Sequence, residues 1–291
     1  MKLTHNRAVL LMVAATLMWS IAGVVTRQLE QARSFEVTFW RSFFTVLSLL
    51  VILPVFQGKG VFQRLRRANA VVWISGLCWC GMFTFFMVAI TLTSVANVLI
   101  MMSIGPLLTA LAARLFIGHQ IAPRTWLTIV VAGVGIAYMY GSQIGEGASL
   151  IGMLVAFCVP ISGAANWTVT QHAYSRGTNV DLVPAVLIGA VFSCMLTLPL
   201  ALPFQASPRD IALLASLGMV QLAIPSAIAA LCARVLKAPE MSLLGLLEVM
   251  FGILLAWIWA NEVPGQSVLA GGALVIGALV VNEVIGWKQK S

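Results

Sequence analysis

Residues 95–117 read VANVLIMMSIGPLLTALAARLFI, and residues 238–260, about 142 positions later, read APEMSLLGLLEVMFGILLAWIWA. The apolar runs 95–117 and 241–260 are each long enough to cross about 30 Å of hydrocarbon as a helix. Ala96-Asn97 falls near Pro239-Glu240, Gly105-Pro106 near Leu247-Glu248, and His119-Gln120 near Asn261-Glu262. A Gly-containing apolar stretch follows each, with Gly133 and Gly135 in the first copy and Gly271, Gly272 and Gly277 in the second. Such glycines let helix backbones approach closely. Hydropathy and loop spacing carry this correspondence, because identity between the copies is low.

Working outward, the chain divides into ten apolar stretches: 8–26, 35–56, 69–91, 95–117, 125–141, 149–171, 182–204, 210–233, 241–260 and 266–286. Five precede roughly Gly145 and five follow it. An odd number in each half turns the second half upside down relative to the first. The expected fold is therefore an all-α integral membrane protein with ten transmembrane helices. They form two inverted five-helix repeats, 1–145 and 146–291, around a central cavity. Inverted repeats of this kind point to a transporter.

Composition agrees. Hydrophobic residues make up 60% of the chain and charged residues 9%, against about 25% charged in a soluble domain. The solvent must be lipid, so backbone amides must be satisfied internally. The runs are continuous rather than alternating, which favours helices over a barrel. The first run is too long for the h-region of a secretory signal, and no small-residue cleavage site precedes Arg27, so it reads as the first span.

The net charge of +8 invites a nucleic-acid reading, but its distribution argues against one. With the N-terminus inside, Lys2, Arg7, Lys59, Arg64, Arg66, Arg67, Arg114, Arg124, Arg176, Arg234, Lys237, Lys288 and Lys290 fall at the inner face. Only Arg27, Arg33, Arg41 and Arg209 fall towards the outer one. This bias places both termini in the cytoplasm. Membrane lipids, not nucleic acid, are the expected partners of the basic loops. The cysteines read as small buried residues, and the scattered histidines suggest no metal site. A Walker-type phosphate loop is missing, so no nucleotide cofactor is expected. No catalytic constellation supports an enzyme.

Glu248 lies inside the ninth span among apolar neighbours. A charge there costs about 2.5–3.5 kcal/mol on insertion scales, so it needs a compensating role. It binds a substrate ammonium, carries a coupling proton, or ties helices together. Trp19 and Trp79 sit mid-span, where no interface explains them. With Met82, Phe83, Met101 and Met102 they either line an apolar, adaptable cavity or simply pack helices. Asn166 and Trp167 in span six and Gln221 in span eight bond either a substrate or a neighbouring helix. Pro106 and Pro160 are expected to kink their helices and act as hinges or shape the cavity, with Pro184 and Pro225 weaker candidates.

Leu17-Met18-Trp19-Ser20, then Phe39-Trp40-Arg41-Ser42-Phe43, Ala96-Asn97, the mid-span Pro106 and Asn261-Glu262 together resemble the drug/metabolite transporter superfamily in its ten-helix EamA branch. Gln120 departs from the acidic residue many relatives carry there. The resemblance implies cavity walls from spans one, three, four, six, eight and nine. Arg41 either pairs with a substrate carboxylate or is a structural anchor whose stem snorkels outward while its head bonds carbonyls or Glu36. The resemblance favours the structural role and also implies a bacterial inner-membrane location. Narrower likeness is to exporters of amino acids with large apolar or aromatic side chains. The implied mechanism is secondary transport of a small-molecule substrate by alternating access. Transport of drug-like organic cations, or a non-transporting sensor, stays as the alternative. A monomer suffices for such a design, and the oligomeric state is left open.

Overall fold

Without water to satisfy its amides, an apolar chain folds each run onto itself, and every regular element among the described residues is helical. The computed structural model describes residues 3–26, 28–32, 34–58, 60–93, 95–118, 120–141, 149–177, 181–260 and 265–288. His119, Gly145 and Asn261-Glu262 lie outside them, as do Lys2, Arg27, Arg33, Lys59 and Lys290.

The elements are α1 (His5–Trp19), α2 (Ala22–Thr26), α3 (Ser34–Gln57), α4 (Val61–Arg66), α5 (Ala70–Leu92), α6 (Val95–Met102), α7 (Gly105–Ile117), α8 (Pro123–Tyr140), α9 (Leu150–Ser175), α10 (Val183–Ala201), α11 (Pro208–Ser216), a π-helical segment Leu217–Ala223, α12 (Ile224–Cys232), α13 (Ala238–Gly245), α14 (Leu247–Ala260) and α15 (Gln266–Lys288). Among the described residues, seven stretches are long and apolar enough to cross a membrane: His5–Thr26, Phe35–Gln57, Ala70–Ile90, Leu150–Ser175, Val183–Ala201, Pro208–Cys232 and Ala238–Trp259. Gly105–Ile117 and Leu269–Asn282 are shorter apolar helices. This is a multi-pass membrane protein.

Two groups of helices form. In one, α5 packs along α9 and α10, and α7 lies against α9. In the other, α1 packs on α12 and α14, and α3 packs on the π-helical segment. The groups meet where α3 crosses α10 and where α7 crosses α13. The pair α8 and α15 stands to one side. There a Cβ at Gly135 would lie 2.9 Å from the Gly271 carbonyl oxygen, so this approach depends on glycine. Around Gly133 and Gly277 the space is open, so those two glycines do not make the contact expected of them.

Hydroxyls join helices within this apolar medium. Ser42 donates to Ser193 at 3.0 Å and Thr84 donates to Ser193 at 2.9 Å, linking α3, α10 and α5. At one end, two carboxylates hold loops. Asp210, fully buried, accepts from the backbone N–H groups of Glu30, Gln31 and Ala32 at 3.0–3.2 Å. It also closes a capping box with Ser207 at the start of α11. Glu36 accepts from the N–H groups of Gln205 and Ala206 and from the Trp40 indole. Asp210→Asn trades an acceptor oxygen for an amide donor facing those N–H groups. The expected loss is about 2 kcal/mol, or roughly 4–8 °C in the unfolding midpoint in detergent. An unchanged melting curve would contradict that role.

The opposite end carries His5 against Glu240 at 3.0 Å, the Arg234–Asp181 pair, and Gln171 accepting from Ala238 N–H at 2.7 Å. Gln171 therefore caps α13.

Candidate functional site: a central cavity

Between the two groups lies a cavity of about 150 Å³. Its position follows from three interruptions in helical regularity. The fourth expected span is broken at Ser103-Ile104, between α6 and α7. The ninth is broken at Leu246, between α13 and α14. In the eighth, the Leu217–Ala223 segment is π-helical, a form that recurs at functional sites because its wider turn re-aims side chains.

Pro106 does not kink a continuous helix as expected. It occupies the first turn of α7, where its missing N–H removes no intrahelical bond. Pro184 likewise sits in the first turn of α10, whereas Pro225 lies inside the continuous helical run Pro208–Cys232, just after its π-helical segment. Pro160 does lie inside α9 and faces the cavity.

One wall is aromatic. Trp79 meets Trp167 edge to face, with centroids 5.6 Å apart, and tilts over Phe83 at 5.4 Å. Trp19, Phe86, Met12, Met82, Met102 and Met241 extend this surface. The polar groups are few: Arg41, Gln221, Ser242 and Glu248. Glu248 stands in the first turn of α14, and Arg41 supplies the opposite charge in the same cavity.

Of the sequence-derived candidates, Trp19, Trp79, Met82, Phe83, Met102, Trp167, Gln221, Glu248 and Pro160 come together in the lining. Three do not. Asn166 is buried and accepts from the Ser75 hydroxyl at 2.7 Å, which ties α9 to α5. Met101 packs against the small apolar cluster of Ala89, Val98 and Ala156. Pro106 is buried behind Gly105, which takes its place in the wall.

Arg41 meets a backbone carbonyl, one of the partners expected of it, and does so at the cavity wall. It is 2% exposed, donates to the Phe83 carbonyl at 2.9 Å, and lines the cavity. Glu36, the other expected partner, is occupied by the 205–206 loop. The second span thus adds a residue to walls expected mostly from spans one, three, four, six, eight and nine. Sequence reasoning missed Ser242, Gly245 and Met241 in the lining. Their signal was their place just before Glu248, in the helix that carries it.

Residues 6–141 match the EamA-like transporter family. Over that segment, just under half of its length, the chain is similar to this family. A curated relative, the S-adenosylmethionine uptake transporter of Rickettsia prowazekii (strain Madrid E), is 24% identical over 268 residues, covering 89% of this chain and 86% of its own. A crystal structure of another protein superposes with a TM-score of 0.76 over 97% of this chain and 99% of that one. At 15% identity this likeness speaks for the fold alone. A small-molecule carrier, rather than an enzyme, is what the family and the named relative point to.

Proposed function

We propose that this protein is an EamA-family secondary transporter of amino acids with large apolar or aromatic side chains, exporting them across the bacterial inner membrane by alternating access. The observation that carries this reading is the cavity itself, an aromatic and methionine surface with one carboxylate and one guanidinium. Such a lining suits a zwitterion with a bulky apolar body. The ammonium is drawn to Glu248 and to aromatic faces, and the carboxylate to Arg41. Multiply anionic substrates are disfavoured, because among the described residues Arg41 is the sole cation in the lining.

The ten-span inverted repeat is part of the proposal, with repeats 1–145 and 146–291. Packing supports it. A Cβ at Gly76 would strike Ile188 and approach the Ala185 carbonyl, while one at Gly218 would strike Phe44 and the Arg41 carbonyl. The glycines stand 142 residues apart in sequence, and their partners 144. The breaks at Ser103-Ile104 and Leu246 correspond at the same offset. Each rocking group then draws helices from both halves, and the breaks at cavity depth supply hinges. Orientation with both termini inside is supported by Arg234, Lys237 and the α4 arginines gathering at the His5 end, and by the acidic clasps at the other.

A second reading rests on the rickettsial relative. S-adenosylmethionine also carries an amino-acid head, joined to a sulfonium and a flat base that suit the same aromatic wall. Counterflow in proteoliposomes, with and without a pH gradient, tests both. Saturable flux of Phe, Trp, Met or Leu supports the first reading. Flux of S-adenosylmethionine without them moves the assignment to the second. Folded protein that carries neither overturns both and favours organic cations or a sensor.

A further inference from the structure

Resting on the zwitterion reading, we infer that Gln221 is a specificity residue that selects substrates with a primary ammonium, through an oxygen held free for it. α1 ends at Trp19 and α2 begins at Ala22, which leaves the Trp19 carbonyl at a helix end. Gln221, in the π-helical segment, donates its Nε2 to that carbonyl at 3.1 Å. An amide has one donating and one accepting end. With the donor committed to Trp19, the orientation of the amide is set and Oε1 is the group left over.

Gln221 is 3% exposed and lines the cavity, and its Oε1 has no partner. A buried acceptor left empty is costly, so its natural complement is a ligand N–H. The other buried unpartnered polar atom in the lining is Arg41 Nε, a donor suited to a carboxylate. Glu248 attracts positive charge of any shape, and adds a hydrogen bond where the cation bears an N–H. Gln221 Oε1, a neutral acceptor, rewards only a cation that bears a hydrogen. Gln221 therefore widens the preference for an α-ammonium over a quaternary nitrogen of equal charge beyond what Glu248 and the aromatic wall supply.

The test uses the full chain in proteoliposomes exchanging labelled L-phenylalanine, with unlabelled L-phenylalanine and its N,N,N-trimethyl derivative as competitors. In the unaltered protein the trimethyl compound should compete at least tenfold more weakly. In Gln221→Leu the gap should shrink to about twofold, mainly through weaker binding of phenylalanine. Equal competition in the unaltered protein, which needs no variant to fold, overturns the inference. So does an undiminished gap in Gln221→Leu with phenylalanine exchange still running. Failure of the amino-acid reading looks different: no amino acid exchanges in the unaltered protein, and the inference then falls with its premise.

Discussion

Glu248→Gln is expected to lower substrate flux in proteoliposomes about ten- to a hundredfold while the protein stays folded. Gln keeps the shape of the side chain and its ability to bond within the first turn of α14, but removes the charge. A hydrogen bond between charged partners is worth about 1.5–3 kcal/mol, which sets the size of the effect if the carboxylate holds the ammonium. Among the described residues, the variant also leaves Arg41 as the sole formal charge in the lining. A buried charge without its complement is strained electrostatically, so part of the loss is expected as altered cavity geometry. If Glu248 instead carries a coupling proton, the pattern changes. Counterflow exchange, which needs no net proton movement, should then survive, and only the response to an imposed pH gradient should vanish. Normal pH-dependent flux in Glu248→Gln would sink both roles and return the residue to a helix tie.

Much of this fold was legible because lipid makes hydropathy the dominant signal. Where backbone amides have no other partner, a continuous apolar run of the right length folds as a helix. The expected stretches accordingly fall on helices in the described residues. Irregularities inside those helices were harder to see. Pro106 suggested a kink, yet a proline reads the same in sequence whether it sits inside a helix or in the first turn of a new one. The π-helical turn around Gln221 has no composition of its own. At its start Gly218 seats against the Arg41 backbone of α3, and Pro225 follows its end.

The site was partly legible for the same reason. Glu248, Trp19 and Trp79 stood out because their depth in the bilayer demanded explanation. Arg41 was left between a substrate partner and a structural anchor, because a long side chain can end far from its Cα, and its course depends on which helix lies opposite. Here that helix is α5, whose Phe83 carbonyl accepts from it. Asn166 met a neighbouring hydroxyl rather than the cavity, a choice only tertiary packing makes. The loop clasps were within reach of sequence reasoning, since Ser207 and Asp210 have capping-box spacing. What spacing could not tell is that Asp210 also holds residues 30–32 of the other half.

Gly189→Ala is expected to be the most damaging conservative change in the bundle. Its added Cβ would lie 2.4 Å from the Trp79 Cβ, 2.9 Å from the Gly76 carbonyl oxygen and 3.0 Å from the Cys80 backbone nitrogen. None of these is the movable tip of a flexible side chain, so α5 and α10 must part by about 1 Å to restore ordinary contact. Overpacking of this kind costs roughly 1–3 kcal/mol. Alanine favours a helix over glycine by about 1 kcal/mol, which opposes the clash without cancelling it. Gly133→Ala supplies the control: open space surrounds that position in α8, so only the helical gain remains and stability should hold or rise. The damage at 189 should also reach the cavity. Trp79 is anchored at the clash, and its ring contacts both Trp167 and Phe83, so separating α5 from α10 shifts the aromatic wall. Gly189→Ala should therefore melt several degrees lower and bind substrate more weakly even where it remains folded, whereas Gly133→Ala should do neither. Equal melting of the two variants would mean that the α5–α10 approach is not the constraint described here.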